Sequence, residues 1–95
     1  MIESLTLSDF EPHIGDGFSV NAGHSVLSLT LKVAKPLGTA LRQGGAFALH
    51  FGGPAAPVLP QSIYPFRHAG LGTLDLFIVP IGREKEGVIY EAIFT

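Results

Sequence analysis

The chain has 95 residues, no cysteine and a formal charge of −2 at neutral pH, which sets the scale at one small domain spanning residues 1–95 and excludes disulfides and thiolate chemistry. Its basic residues, Lys32, Lys35, Arg42, Arg67, Arg83 and Lys85, are scattered, so the charge footprint of a nucleic-acid binder is missing, and so is a polybasic membrane anchor. Charged residues make up 15% of the chain, against roughly 25% in an average soluble domain, so part of the surface must be apolar or merely Gly, Ala and Pro, and exposed apolar patches usually mark contact sites.

The opening residues Met1-Ile2-Glu3-Ser4 show neither a basic region nor an apolar run behind it, so no signal peptide is expected and the compartment stays open. Thr6 to His13 is the one helical candidate. Ser8 or Thr6 can cap it and Asp9 and Glu11 suit its first turn, before Pro12 and Gly15-Asp16-Gly17 stop it. Phe18-Ser19-Val20-Asn21 reads as a short strand with Phe18 and Val20 on one face, and Ala22-Gly23-His24 turns the chain. The clearest strand follows. Leu27, Leu29, Leu31 and Val33 are expected inside, with Ser28, Thr30 and Lys32 toward water.

Residues 36–45 read as a loop closing on Gly44-Gly45. Ala46 to Phe51 is the third strand, with Phe47, Leu49 and Phe51 inward and Ala46, Ala48 and His50 outward. A proline-rich crossing, Pro54 to Pro60, leads into Gln61–His68, which Pro65 marks as an edge strand or one with a bulge. Ala69-Gly70-Leu71-Gly72 turns into Thr73–Pro80, where Leu74, Leu76 and Ile78 share one face and Phe77 and Val79 the other, so burial on both faces is expected. The run Leu76 to Ile81 is too short to span a bilayer as a helix. Gly82 to Gly87 is a charged hairpin loop, and Val88 to Phe94 is the last strand. The expected fold is therefore all-β and mainly antiparallel, a small barrel or sandwich of about six strands with one short N-terminal helix.

Chemistry is sparse. His13, His24, His50 and His68 contain no pair two or four residues apart, so no local chelating motif exists, and His50, His68 and Asp75 could converge only across neighbouring strands. Gly23-His24-Ser25-Val26-Leu27 fails the nucleophile-elbow pattern at its last position. Gly44-Gly45 and Gly52-Gly53 lack the following lysine and helix of a phosphate loop. Asp75 and Glu91 fit paired-carboxylate catalysis only if they face each other. Pro54-Ala55-Ala56-Pro57 has the spacing of a polyproline ligand but lies inside the domain, where a structural crossing is the better reading. No catalytic, cofactor-binding or metal-ligating residue is assigned on these grounds.

Leu5-Thr6 with Asp9-Phe10, Gly15 and Phe18, Gly53-Pro54, Leu59-Pro60-Gln61 with Tyr64, His68 with Leu71-Gly72, Leu76 to Gly82, and Tyr90-Glu91-Ala92 with Phe94 together resemble an uncharacterised family of small bacterial domains. That resemblance implies, by association with phage-tail-collar proteins, a place in a tail-like or extracellular fibre assembly, and it carries no catalytic residues. The functional expectation is a non-enzymatic structural or interaction module whose partner is a protein, either itself or a neighbouring subunit. The alternative is a small carbohydrate-type binding module using Tyr64, Tyr90 and His68 as a platform.

Overall fold

The computed structural model describes residues 5–38 and 45–94. The opening residues read above for a leader, the part of the 36–45 loop that holds Arg42 and Gly44, and Thr95 lie outside them. A one-turn helix α1 (Leu7–Phe10) continues into a 3-10 turn over Glu11–His13. Six strands follow among the described residues: β1 (Gly17–Ala22), β2 (Ser25–Pro36), β3 (Phe47–Gly53), β4 (Ser62–His68), β5 (Gly72–Glu84) and β6 (Gly87–Phe94). They close into an antiparallel barrel in the order β1-β2-β3-β6-β5-β4, which leaves far less open edge than a flat sheet of the same strands.

Thr6 stands at the N-cap of α1, and its backbone N–H donates to the Asp9 carboxylate at 2.7 Å. That bond satisfies one of the groups a helix start leaves unpaired. With so few turns α1 has no stability of its own. It is held by Phe10, fully buried, whose ring lies 5.8 Å from that of Phe47 and 5.6 Å from that of Phe94. Phe47 and Phe94 are register partners across β3 and β6, stacked at 4.4 Å. At the opposite end of the same two strands, the crossing after β3 brings Leu59 into the core. Its backbone N–H donates to the hydroxyl of buried Tyr90 at 2.9 Å. The remaining interior is filled by Phe18, Phe51 and Phe66, in mutual ring contact, with Val20, Leu29, Leu31, Leu49, Leu76 and Ile78. The inside is a core, so binding chemistry belongs to the outside of the wall.

Four expectations need correction. Val33 points outward and is 38% exposed, because the pairing of β2 with β3 shifts between Leu31 and Val33. The bulge at Lys32 reverses the alternation, so Ala34 packs on the core in its place. Strand β5 is not buried on both faces: Leu76 and Ile78 are inside, but Phe77 is 51% exposed. Strand β4, read as an edge or bulged strand, instead closes the barrel. It pairs with β5 from Ser62 to His68, but with β1 only at Phe66 and Arg67, so Pro65 falls just beyond that short seam. The missing N–H of proline accounts for a ladder that stops there. The final hairpin is also tighter than read, with β5 running to Glu84 and β6 starting at Gly87.

Candidate functional site

His50, His68 and Asp75 do not meet. His50 on β3 faces Glu91 on β6, its Nε2 2.9 Å from Oε2. Asp75 lies opposite Pro65 on β5 and is exposed. Val79 is the residue opposite Glu91, so Asp75 and Glu91 are offset by four residues, roughly 13 Å of strand, and cannot face each other across one bond. The aromatic platform fails too. Tyr90 is fully buried, the Tyr64 hydroxyl donates to the Pro60 carbonyl, and the His68 side chain is 8% exposed. His24 lies in the exposed β1–β2 turn.

What the fold does assemble is His13, Asp16 and His68. His13 ends the 3-10 turn and Asp16 stands just before β1. The Asp16 N–H donates to the His13 carbonyl, and its own carbonyl accepts from Leu31 of β2. That backbone geometry aims the carboxylate at His68, the last residue of β4. One oxygen, Oδ2, lies 3.0 Å from Nδ1 of His13 and 2.9 Å from Nε2 of His68. The two imidazoles meet edge to face at 4.4 Å, and His68 rests on Phe18 at 4.6 Å. The hydrogen bond from His68, then that from His13, hold the Asp16 carboxyl below the usual aspartate range. Only the His-x-x-Asp spacing of His13 and Asp16 was visible locally; His68 joins from 52 residues beyond Asp16.

The second nitrogen of His68 decides what this cluster can do. Nδ1 accepts from the backbone N–H groups of Gly70 at 2.9 Å and Leu71 at 3.1 Å. A ring nitrogen that accepts carries no proton, so the His68 proton sits on Nε2 and is donated to Asp16. The three side chains offer donor atoms within 4.8 Å of one another, the right number for a metal centre. A metal on Nε2, however, moves the ring proton to Nδ1, where it would point at two N–H donors. Metal-ligating histidines normally donate from that second nitrogen. The cluster therefore fits a hydrogen-bonded clamp that ties the N-terminal turn to the β4–β5 hairpin.

Two features of the outer wall remain. Six phenylalanines, Phe10, Phe18, Phe47, Phe51, Phe66 and Phe94, are buried, and the seventh is Phe77. It lies opposite Ile63, itself 63% exposed. Ile93, 52% exposed, stands two residues past Glu91 on β6, as Phe77 stands two residues before Val79 on β5. Ile63 and Phe77 are therefore an exposed apolar pair across β4 and β5, and Ile93 is exposed on β6 two residues beyond the last β5–β6 pair. On another part of the wall, Ser28, Thr30, Lys32, the glycines of β3, Glu84 and Glu86 to Ile89 line a cleft of about 450 Å3. It is crossed by the Lys32 ammonium, 3.9 Å from Glu84 and 3.6 Å from Glu86. Gly52 permits this, since a Cβ there would run into the Lys32 side chain.

These observations define a small closed antiparallel β-barrel domain with a packed interior. The chain belongs to the DUF6916 family, a domain of unknown function whose profile matches residues 5–94. No curated protein and no solved structure matches it.

Proposed function

We propose that the protein is a non-enzymatic interaction module that associates with a second copy of itself through the outer face of β4, β5 and β6, as a subunit of a larger tail-like or fibre assembly. The observation that carries this reading is the exposed pair Ile63–Phe77 on β4 and β5, with Ile93 also exposed on β6. These side chains are only about half covered, so each forgoes roughly half of the 1.5–3 kcal/mol that full burial gives. Scattered apolar residues are ordinary on a surface, but large apolar side chains exposed directly opposite each other on adjacent strands suit a contact.

A second copy is the occupant that this face suits. These three residues carry no charge, so like against like buries none, and an isologous contact needs only this one patch. Asp75, beside the pair, and Arg67, further along β4, supply opposite charges for the rim. Amide NMR of labelled protein over a dilution series tests the reading. The expected result is concentration-dependent shifts centred on Ile63, Phe77 and Ile93. Spectra that do not change with concentration, or shifts centred elsewhere, would remove the basis for it.

A further inference from the structure

A polar row of the same wall differs in kind from the apolar pair. Ser28 on β2 is opposite Ser19 on β1, Ser19 is opposite Arg67 on β4, and Arg67 is opposite Thr73 on β5. All four are exposed, because their neighbours Leu29, Phe18 and Phe66 take the interior. The β1–β4 seam is the narrowest ladder of the barrel, and the row crosses it. Ser19, Arg67 and Thr73, with His68, Ala69 and Gly72 of the adjoining hairpin, line a depression of about 350 Å3.

The Arg67 guanidinium makes no hydrogen bond or ion pair with any described residue. Asp75 stands on the next row, opposite Pro65, and does not pair with it. This contrasts with Lys32, whose ammonium already lies between two carboxylates. His68 offers the depression nothing, since its Nε2 proton goes to Asp16 and its Nδ1 accepts from Gly70 and Leu71. Its part is to fix the hairpin that forms one wall. The free donors are the guanidinium fork and the hydroxyls of Ser19 and Thr73, one strand spacing away on either side, about 4.8 Å each. A fork of N–H donors flanked by hydroxyls matches a group with several acceptor oxygens and negative charge.

We propose that Ser19, Arg67 and Thr73 form an oxyanion-binding site that takes a phosphate or carboxylate group. The site is separate from the apolar pair: Ile63 and Phe77 lie at the other end of the β4–β5 hairpin, with Pro65 and Asp75 between.

Inorganic phosphate and acetate, titrated separately into labelled protein at constant ionic strength and followed by amide NMR, test it. Saturable shifts at Ser19, Arg67 and Thr73 with at least one anion are expected, and the one that saturates first names the source. Arg67→Gln should weaken that binding by about tenfold or more, as expected when a charged hydrogen-bond partner is lost. Lys35→Gln, a cation elsewhere on the wall, should leave it unchanged, and Phe77→Asp should leave it unchanged while altering self-association. A dispersed Arg67→Gln spectrum verifies that the variant folds. No saturable shift with either anion, or shifts that persist in Arg67→Gln, would overturn the proposal.

Discussion

His68 donates from Nε2 to the Asp16 carboxylate at 2.9 Å, across 52 residues of chain, while its other nitrogen holds the hairpin that follows. One imidazole thus joins the N-terminal turn, the start of β1 and the β4–β5 turn. The arrangement depends on a single tautomer and on an ionised acceptor, and both have consequences in solution.

The first concerns pH. The Asp16 carboxyl titrates below its unfolded value near 3.9 because His68 and His13 hydrogen-bond its charged form. A carboxyl with a depressed folded pKa contributes stability above the unfolded pKa and loses it as pH falls through the folded one. Asp16→Asn should therefore be less stable than the parent at neutral pH, and the gap should close below about pH 4. Denaturant melts of both proteins from pH 3 to 7 measure this. A gap that widens toward acid would contradict it.

The second concerns metals. A ligand specific to the folded state raises its melting temperature by mass action. Saturating zinc or nickel should leave the melting temperature where a chelator leaves it, because the His68 proton occupies the nitrogen that would coordinate. A metal-dependent rise that disappears in His68→Gln would show that the hairpin bonds to Nδ1 give way.

The third separates the two halves of β2. Leu29→Ala, inside the barrel, should cost about 2–5 kcal/mol. Val33→Ala, beyond the bulge, should cost under about 1 kcal/mol, as surface changes do. Chemical denaturation gives both values, and a large cost at Val33 would place it back inside.

The fourth tests the barrel end closed by Leu59. Tyr90→Phe removes the hydroxyl that accepts the Leu59 N–H and leaves that buried donor unpaired, at about 1–3 kcal/mol. Hydrogen exchange at the Leu59 amide should speed up in the variant. An unchanged rate would mean that the amide has another acceptor.

The class of fold was legible because period-two alternation and glycine or proline turns are local signals. Phe18, Val20, Leu29, Leu31 and Phe47 are all inside as that pattern requires. Closure was not legible, since β1 meets β4 and β3 meets β6 through pairings distant in sequence. The Lys32 bulge was hidden for a related reason: a bulge is a relation to the opposite strand, and Val33 continues the apolar alternation unbroken. Phe77 was misplaced because an apolar residue on the outer face looks the same in sequence whether a partner element covers it or not. The His13–Asp16–His68 clamp was missed: two members lie three residues apart, but the third joins them only when β4 folds back beside β1.

The association itself is measured most directly by light scattering of the unmodified protein at micromolar concentrations and above, beside Phe77→Asp. The parent's mass should rise toward twice the monomer's, and the variant should be a monomer at every concentration, with both equally folded by circular dichroism. A strictly monomeric parent, or an association indifferent to Phe77→Asp, would contradict it.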